Sequence, residues 1–218
     1  MSGQQLQQAV RKILESSGTL IENEQFVYVS GNHGSGWVAK DLINLRPELA
    51  CELERLLAVE IQNQGIKPDL ISGPAIGGVI GAHYTALAFG SRSVLAQRVI
   101  DAEGKTLGFE VKCDYDEILK DQSVLIVDDI VNTGFSVHLA YDAVVRVGAR
   151  PLGIAAYVNR GNVNAQQLGV NSFIFPDQVF LPAWPAEGCP LCKSGAPICA
   201  SYAQGAEFVS KDLGAVDV

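Results

Sequence analysis

Apolar residues at Leu6, Ala9, Val10, Ile13 and Leu14 recur at the three-to-four spacing of one helix face. The pattern predicts an amphipathic helix from Gln4 to Ser16, stopped near Gly18. Gln25 to Val29 and Gly36 to Ala39 read as short strands around a glycine-rich turn. Pro47 opens a second helix in its first turn, where proline loses no hydrogen bond. Leu49, Leu53, Leu56, Leu57 and Ile61 line one face of that helix, and Gly65 closes it. Leu70-Ile71 is a short buried strand, Gly77 to Phe89 a helix rich in small residues ended by Gly90, and Ser93 to Arg98 the next strand. Asp101 to Asp116 is polar with weak alternation at Leu107, Phe109 and Val111, the pattern of a long hairpin reaching away from the core. Val124 to Val127 and Leu152 to Val158 are the last clear core strands, separated by a helical pattern at Val137, Ala140, Val144 and Val145 with Gly148 as its stop. Strand and helix alternate from residue 47 to 158, which predicts an α/β fold with a doubly wound, mainly parallel sheet. From Phe175 onward Pro, Gly and Cys punctuate the chain, and the reading there is a small irregular lobe covering the site.

At 218 residues and 48% hydrophobic content, the chain can bury a sizeable core as one domain or a domain with a small appendage. The net charge of -8 argues against a general nucleic-acid binder, which is normally basic. No apolar run approaches the ~20 residues of a membrane span. Five cysteines with no secretory signal ahead of them lead to an expectation of reduced thiols in the cytoplasm.

The densest chemistry lies in Val124-Leu125-Ile126-Val127-Asp128-Asp129-Ile130-Val131-Asn132-Thr133-Gly134-Phe135-Ser136. A buried strand runs into two adjacent carboxylates, then into a loop of small residues, then into a helix N-terminus. In open α/β sheets ligands bind at such strand ends. Loop amides and the positive helix end suit a phosphate. Two carboxylates beside them suit ribose hydroxyls or a Mg²⁺-bound sugar phosphate. A second strand-to-helix turn, Ser72-Gly73-Pro74-Ala75-Ile76-Gly77-Gly78, is equally rich in small residues.

The acidic stretch resembles the 5-phosphoribosyl pyrophosphate (PRPP) signature of the type I phosphoribosyltransferases, and the chain as a whole is most similar to the orotate phosphoribosyltransferase subfamily. Asp69 to Val79 resembles that family's strand, pyrophosphate loop and helix start. Phe26 to Lys40, with Ser30-Gly31-Asn32-His33-Gly34, resembles its N-terminal base-side segment, and Tyr157-Val158-Asn159-Arg160-Gly161 the later strand whose Arg meets the base. The resemblance implies the type I phosphoribosyltransferase fold with a small hood formed by the N- and C-terminal segments. Residues 1–45 would supply a helix and part of the hood, 46–175 the PRPP-binding core, and 176–218 the irregular segment. It implies transfer of ribose 5-phosphate from PRPP to a nucleobase, orotate or a related base, with release of pyrophosphate. Such transfer passes through an oxocarbenium-like state, as in glycoside cleavage, and needs no protein nucleophile.

Residue by residue, the resemblance assigns Asp128 and Asp129 to the ribose hydroxyls with Mg²⁺ nearby, and Asn132, Thr133, Gly134, Phe135 and Ser136 to the 5-phosphate loop. Ala75, Ile76, Gly77 and Gly78 would hold the pyrophosphate, and Arg98 and Lys105 would supply catalytic positive charge to it. Asn32, His33, Asn132 and Arg160 fall on the base side. It further implies a homodimer, with no nucleic acid and no membrane as partners. The chain departs from the orotate pattern at the cationic loop, which reads Gln97-Arg98-Val99-Ile100 where a Lys follows the Arg in the family and a His comes later. Lys105 or Lys112 would have to substitute. That loss keeps a second function open, a PRPP-binding regulator that has lost catalysis. Cys189, Cys192 and Cys199 could bind Zn²⁺, but a closed structural site needs a fourth ligand, from Cys113, His33 or a partner chain. His83 and His138 read as structural.

Overall fold

In the computed structural model, which describes residues 1–28, 30–111 and 116–214, the first apolar stripe folds as α1 (Gly3–Ser16) and buries Leu6, Val10 and Leu14. Then come β1 (Leu20–Val27), β2 (His33–Val38), a 3₁₀ turn at Lys40–Leu45 and α2 (Pro47–Asn63). The central run is β3 (Leu70–Pro74), α3 (Gly77–Phe89), β4 (Arg92–Ile100), β5 (Thr106–Val111), α4 (Asp116–Leu119), β6 (Ser123–Val131), α5 (Phe135–Arg146) and β7 (Arg150–Asn159). Short elements finish the chain: α6 (Ala165–Leu168), β8 (Phe173–Ile174), β9 (Asp177–Gln178), β10 (Ala183–Trp184), α7 (Pro190–Lys193) and α8 (Gly205–Gly214). Two compact units result, one of Met1–Ile13 with Asn44–Val179, the other of Leu14–Ile43 with Phe180–Val218.

The first unit holds a sheet in the order β5-β4-β3-β6-β7-β8, with β9 also on β7. All its pairings are parallel except β4 with β5. Parallel strands buried on both faces read as continuous apolar runs, because alternate side chains serve different layers. Val124 and Ile126 of β6 pack with Leu70, Ile154 and the α5 residues Val137, Ala140 and Val144. Leu125 and Val127 pack on the other face with Ile71, Ala155, the α2 residues Leu57 and Ile61, and the α3 residues Ala82 and Ala86. The doubly wound prediction is met, and the segment after Ile100 is a hairpin as its weak alternation suggested, turning at Asp101–Lys105 into β5.

In the second unit β1, β2 and β10 form an antiparallel sheet. The irregular lobe expected after Phe175 is a correction in part. The segment contains α8, and the Gln204 amide at its start donates to the Val27 carbonyl of β1. That helix lacks the long apolar stripe that periodicity detects, and its docking is a tertiary contact. Lys112 and Cys113 lie outside the described residues.

Candidate functional site

Between β3 and β6 the chain changes direction across the sheet: β3 leads towards β4 on one side, β6 towards β7 on the other. Such a switch point leaves a crevice at the carboxyl ends of the two strands. β3 pairs with β6 only as far as Ser72 opposite Ile126, whereas β7 follows β6 to Asn159 opposite Val131. The last residues of β6, Asp128 and Asp129 among them, therefore face the turn that leaves β3. Asp128 is 9% and Asp129 7% exposed. The Asp129 amide donates to Asp128 Oδ1 at 2.9 Å, and the Ile130 amide to Asp129 Oδ1 at 2.7 Å, so neighbouring backbone orients both carboxylates.

Glycine lets the two loops meet. A Cβ on Gly78 would stand 2.9 Å from the Val127 carbonyl oxygen and 3.0 Å from Asp128 Oδ1, closer than side chains tolerate. The Ala75–Ile76 peptide in this turn is cis. Arg98, on β4, donates from Nη2 to the Ala75 carbonyl at 3.1 Å, which brings its guanidinium to the β3 turn. On the β6 side Gly134 takes φ +83°, a left-handed conformation open to glycine, and caps α5. The first-turn amides of α5 have no helical carbonyl to bind, the arrangement that suits an anion. A cavity of about 440 Å³ adjoins this loop, lined by Thr133, Gly134, Phe135, His138 and Leu168. Ile76 and Phe135, 80% and 59% exposed, stand at the tips of the two loops. Arg160 is half-buried just past β7, its amide bonded to the Val131 carbonyl at 2.8 Å. Lys105 closes the β4–β5 hairpin turn, its amide held by Asp101 Oδ1 at 2.7 Å.

Thus Asp128, Asp129, Asn132–Ser136, Ala75–Gly78, Arg98 and Arg160 all emerge at the carboxyl edge of one sheet, in one unit. Glu54, a residue that sequence reasoning passed over, belongs to this unit too. It is 3% exposed on the apolar face of α2 and accepts from Thr85 Oγ1 of α3 at 2.9 Å. Burial pushes its carboxyl up to about 8; the Thr85 hydrogen bond opposes this and the Asp129 charge adds to it. Its place among Leu53, Leu57 and Ile61 was the available signal, a lone acid on a stripe of leucines.

Asn32 and His33 belong to the second unit. Asn32 is half-buried in a tight turn, where its carbonyl accepts from the Tyr28 amide at 2.8 Å. His33 is 2% exposed on the central strand β2, with Nδ1 3.0 Å from Gln25 Nε2 and 3.0 Å from Cys192 Sγ. Its surroundings are thus a thiol, an amide and the Phe208 ring, whose centroid lies 5.4 Å away in an edge-to-face contact, all in its own unit. Cys189 joins them, whereas Cys199 does not. His83 and His138 bond Ser93 Oγ and the Leu168 carbonyl respectively.

A mainly parallel sheet that presents a glycine-rich turn and an acidic pair side by side at its switch point is the arrangement in which α/β proteins place a phosphate-binding crevice. Residues 41–179 match the phosphoribosyl transferase domain, and the chain belongs to that family. It is 31% identical over 198 residues to an orotate phosphoribosyltransferase of Sulfurimonas denitrificans, covering 86% of this chain and 94% of that protein. An orotate phosphoribosyltransferase of Heliobacterium modesticaldum is 31% identical over 191 residues, 88% of this chain and 95% of that one. Among solved structures, orotate phosphoribosyltransferase from Aeropyrum pernix shares the fold with a TM-score of 0.65 at 20% identity, covering 78% of this chain and 93% of that chain. The Mycobacterium tuberculosis orotate phosphoribosyltransferase in complex with PRPP aligns with a TM-score of 0.58 at 17% identity, over 79% and 96% of the two chains. The protein is accordingly an enzyme of the phosphoribosyltransferase class.

Proposed function

We propose that this phosphoribosyltransferase joins the 5-phosphoribosyl group of PRPP to orotate or a closely related carbonyl-rich pyrimidine, in nucleotide synthesis. The observation that carries the reading is the close approach of the β3 turn to Asp128 across Gly78, which sets a candidate pyrophosphate cradle against a candidate ribose anchor. In this reading Asp128 and Asp129 accept from the ribose 2- and 3-hydroxyls, and the α5 start with Thr133 and Ser136 holds the 5-phosphate. Amides of Ala75–Gly78 hold the pyrophosphate, and Arg98 and Lys105 supply charge to it as it leaves. The base nitrogen forms a bond to C1 as the bond from C1 to the pyrophosphate oxygen breaks. Catalysis rests on alignment and on charge placed where the leaving group develops it.

The carboxylates of Asp128 and Asp129 are hard oxygen donors beside a phosphate site, a set that fits Mg²⁺. When bound, that ion would supply countercharge to the pyrophosphate. On the base side, Arg160 is the cation within the same unit, and its guanidinium would meet a carboxylate or carbonyl of the acceptor. The 31% identity to orotate enzymes over most of the chain supports the pyrimidine assignment, and the reading carries with it a homodimer in the cytoplasm.

The second reading, a PRPP-binding regulator, is favoured by one feature, the altered cationic loop, in which Val99 follows Arg98 and no His comes after it. One experiment separates the two. Titration calorimetry with PRPP and Mg²⁺ is followed, on the same sample, by a pyrophosphate-release screen over orotate, uracil and the purines. The expected result is binding with release on orotate. Binding without release from any base would select the regulator, and no binding would remove both.

A further inference from the structure

The second unit contains a group of metal-type ligands, His33, Cys189 and Cys192. Each places one ligand atom within 4.8 Å of the others. His33 sits on β2 between β1 and β10, paired with Val27 on one side and Trp184 on the other, and is fixed in depth by both. Cys189 is fully buried, and Pro190 starts the short helix α7 directly after it. One helical turn then brings the exposed Cys192 back towards the same point. Gln25, 1% exposed on β1, directs its side-chain nitrogen at both His33 Nδ1 and Cys192 Sγ, 3.0 Å from each.

Protein contacts alone satisfy this cluster poorly. Gln25 Oε1 and His33 Nε2 are both buried without a hydrogen-bond partner. Orphaned buried polar atoms are rare and are costly to leave unpaired. Half a turn of the Gln25 amide exchanges its two ends and brings Oε1 to the imidazole–thiol face. An imidazole, two thiols and a carbonyl oxygen then converge on one point, with Cys192 open to solvent. Two thiolates at Cys-x-x-Cys spacing with one imidazole are the donor set of Zn²⁺, and three protein ligands leave its fourth position to water or a weak oxygen donor.

We propose that His33, Cys189 and Cys192 form a Zn²⁺ site that ties strand β2 to the segment after β10, with Gln25 orienting the ligands from beside the ion. Binding ionises both thiols, so two protons leave and the sulfur lone pairs become the metal bonds. The site stabilises the second unit. It corrects the ligand set read from the sequence: His33 takes the place that spacing gave to Cys199.

The test uses the full chain, purified under reducing conditions, saturated with Zn²⁺ and dialysed, with a parallel sample loaded with Co²⁺. Expected are one metal ion per chain and a cobalt spectrum with thiolate-to-metal bands. Cys192→Ser, at an exposed position, should weaken Zn²⁺ binding by at least about 10-fold, the lower end of what disturbing a metal site does. Cys199→Ser should leave it unchanged. Retention well below one ion per chain, a cobalt spectrum without thiolate bands, or equal losses in the two variants would each overturn the site. So would a Cys189–Cys192 disulfide, seen as a loss of two titratable thiols, in protein that takes up no metal. PRPP affinity, measured alongside, reads the first unit separately, so failure of the metal site leaves the transferase reading standing.

Discussion

Asp129 ends up 7% exposed with one oxygen held by the Ile130 amide, so replacing the carboxylate by its isosteric amide keeps that contact and removes the charge. Asp129→Asn is expected to lower PRPP affinity by about 10- to 100-fold, the worth of a hydrogen bond to a charged group, with the circular dichroism spectrum unchanged. Arg160→Ala should instead raise the acceptor KM and leave PRPP affinity within about 3-fold, if its guanidinium meets the acceptor as proposed. Calorimetry for PRPP and steady-state kinetics for the base read the two separately; equal losses for both ligands would remove the base-side role of Arg160. Both residues can be singled out as candidates in the sequence because each lies at the end of a strongly apolar run. His33 could be named as a candidate ligand, but its contact with Cys192 could not be read, because the two lie about 160 residues apart along the chain and spacing carries no information about that pair.

At the scale of elements, α2 and α3 meet around a buried acid. The Glu54 carboxyl, raised from an ordinary 4.5 to about 8, stays protonated in the folded chain while the unfolded chain ionises. The native state then binds more protons than the unfolded state, so this group's contribution to stability is complete below pH 4.5 and is lost as pH rises through about 8. The slope inside that window approaches about 1.4 kcal/mol per pH unit. Glu54→Gln mimics the protonated acid and should flatten the fall; urea titrations of both proteins from pH 5 to 9 measure the difference. Parallel slopes would show that Glu54 ionises normally. Periodicity located the helix carrying Glu54 but placed the strand β6 too short. Its apolar run ends at Val127, yet pairing with β7 carries the strand on through the two aspartates to Val131.

For the molecule as a whole, ligand binding and stability are linked. PRPP with Mg²⁺ at about 100 times its Kd should stabilise the folded chain by about 2.7 kcal/mol. For a chain of this length that corresponds to a rise in Tm of roughly 5–10 °C, read by calorimetric scanning. No shift at saturating PRPP would mean that the folded state does not bind it. The net charge of -8 accords with a small-molecule enzyme, and no helix among the described residues is long and apolar enough to cross a membrane.

The sequence by itself determined the alternation of elements in the core, the acidic pair with the small-residue loop after it, the glycine-rich turn after β3 and the family. All of these rest on local signals: unbroken β-branched runs, glycine at turns, and ligand residues a few positions apart. Only the tertiary structure decided that the β3 turn lies against Asp128, because β4 and β5 intervene along the chain while the sheet order makes β3 and β6 neighbours. It decided likewise that Glu54 is buried under Thr85, that α8 docks on β1 and that His33 sits beside Cys192. Each of these is a contact between distant segments, set by which apolar faces pack together, and no spacing within one segment encodes it.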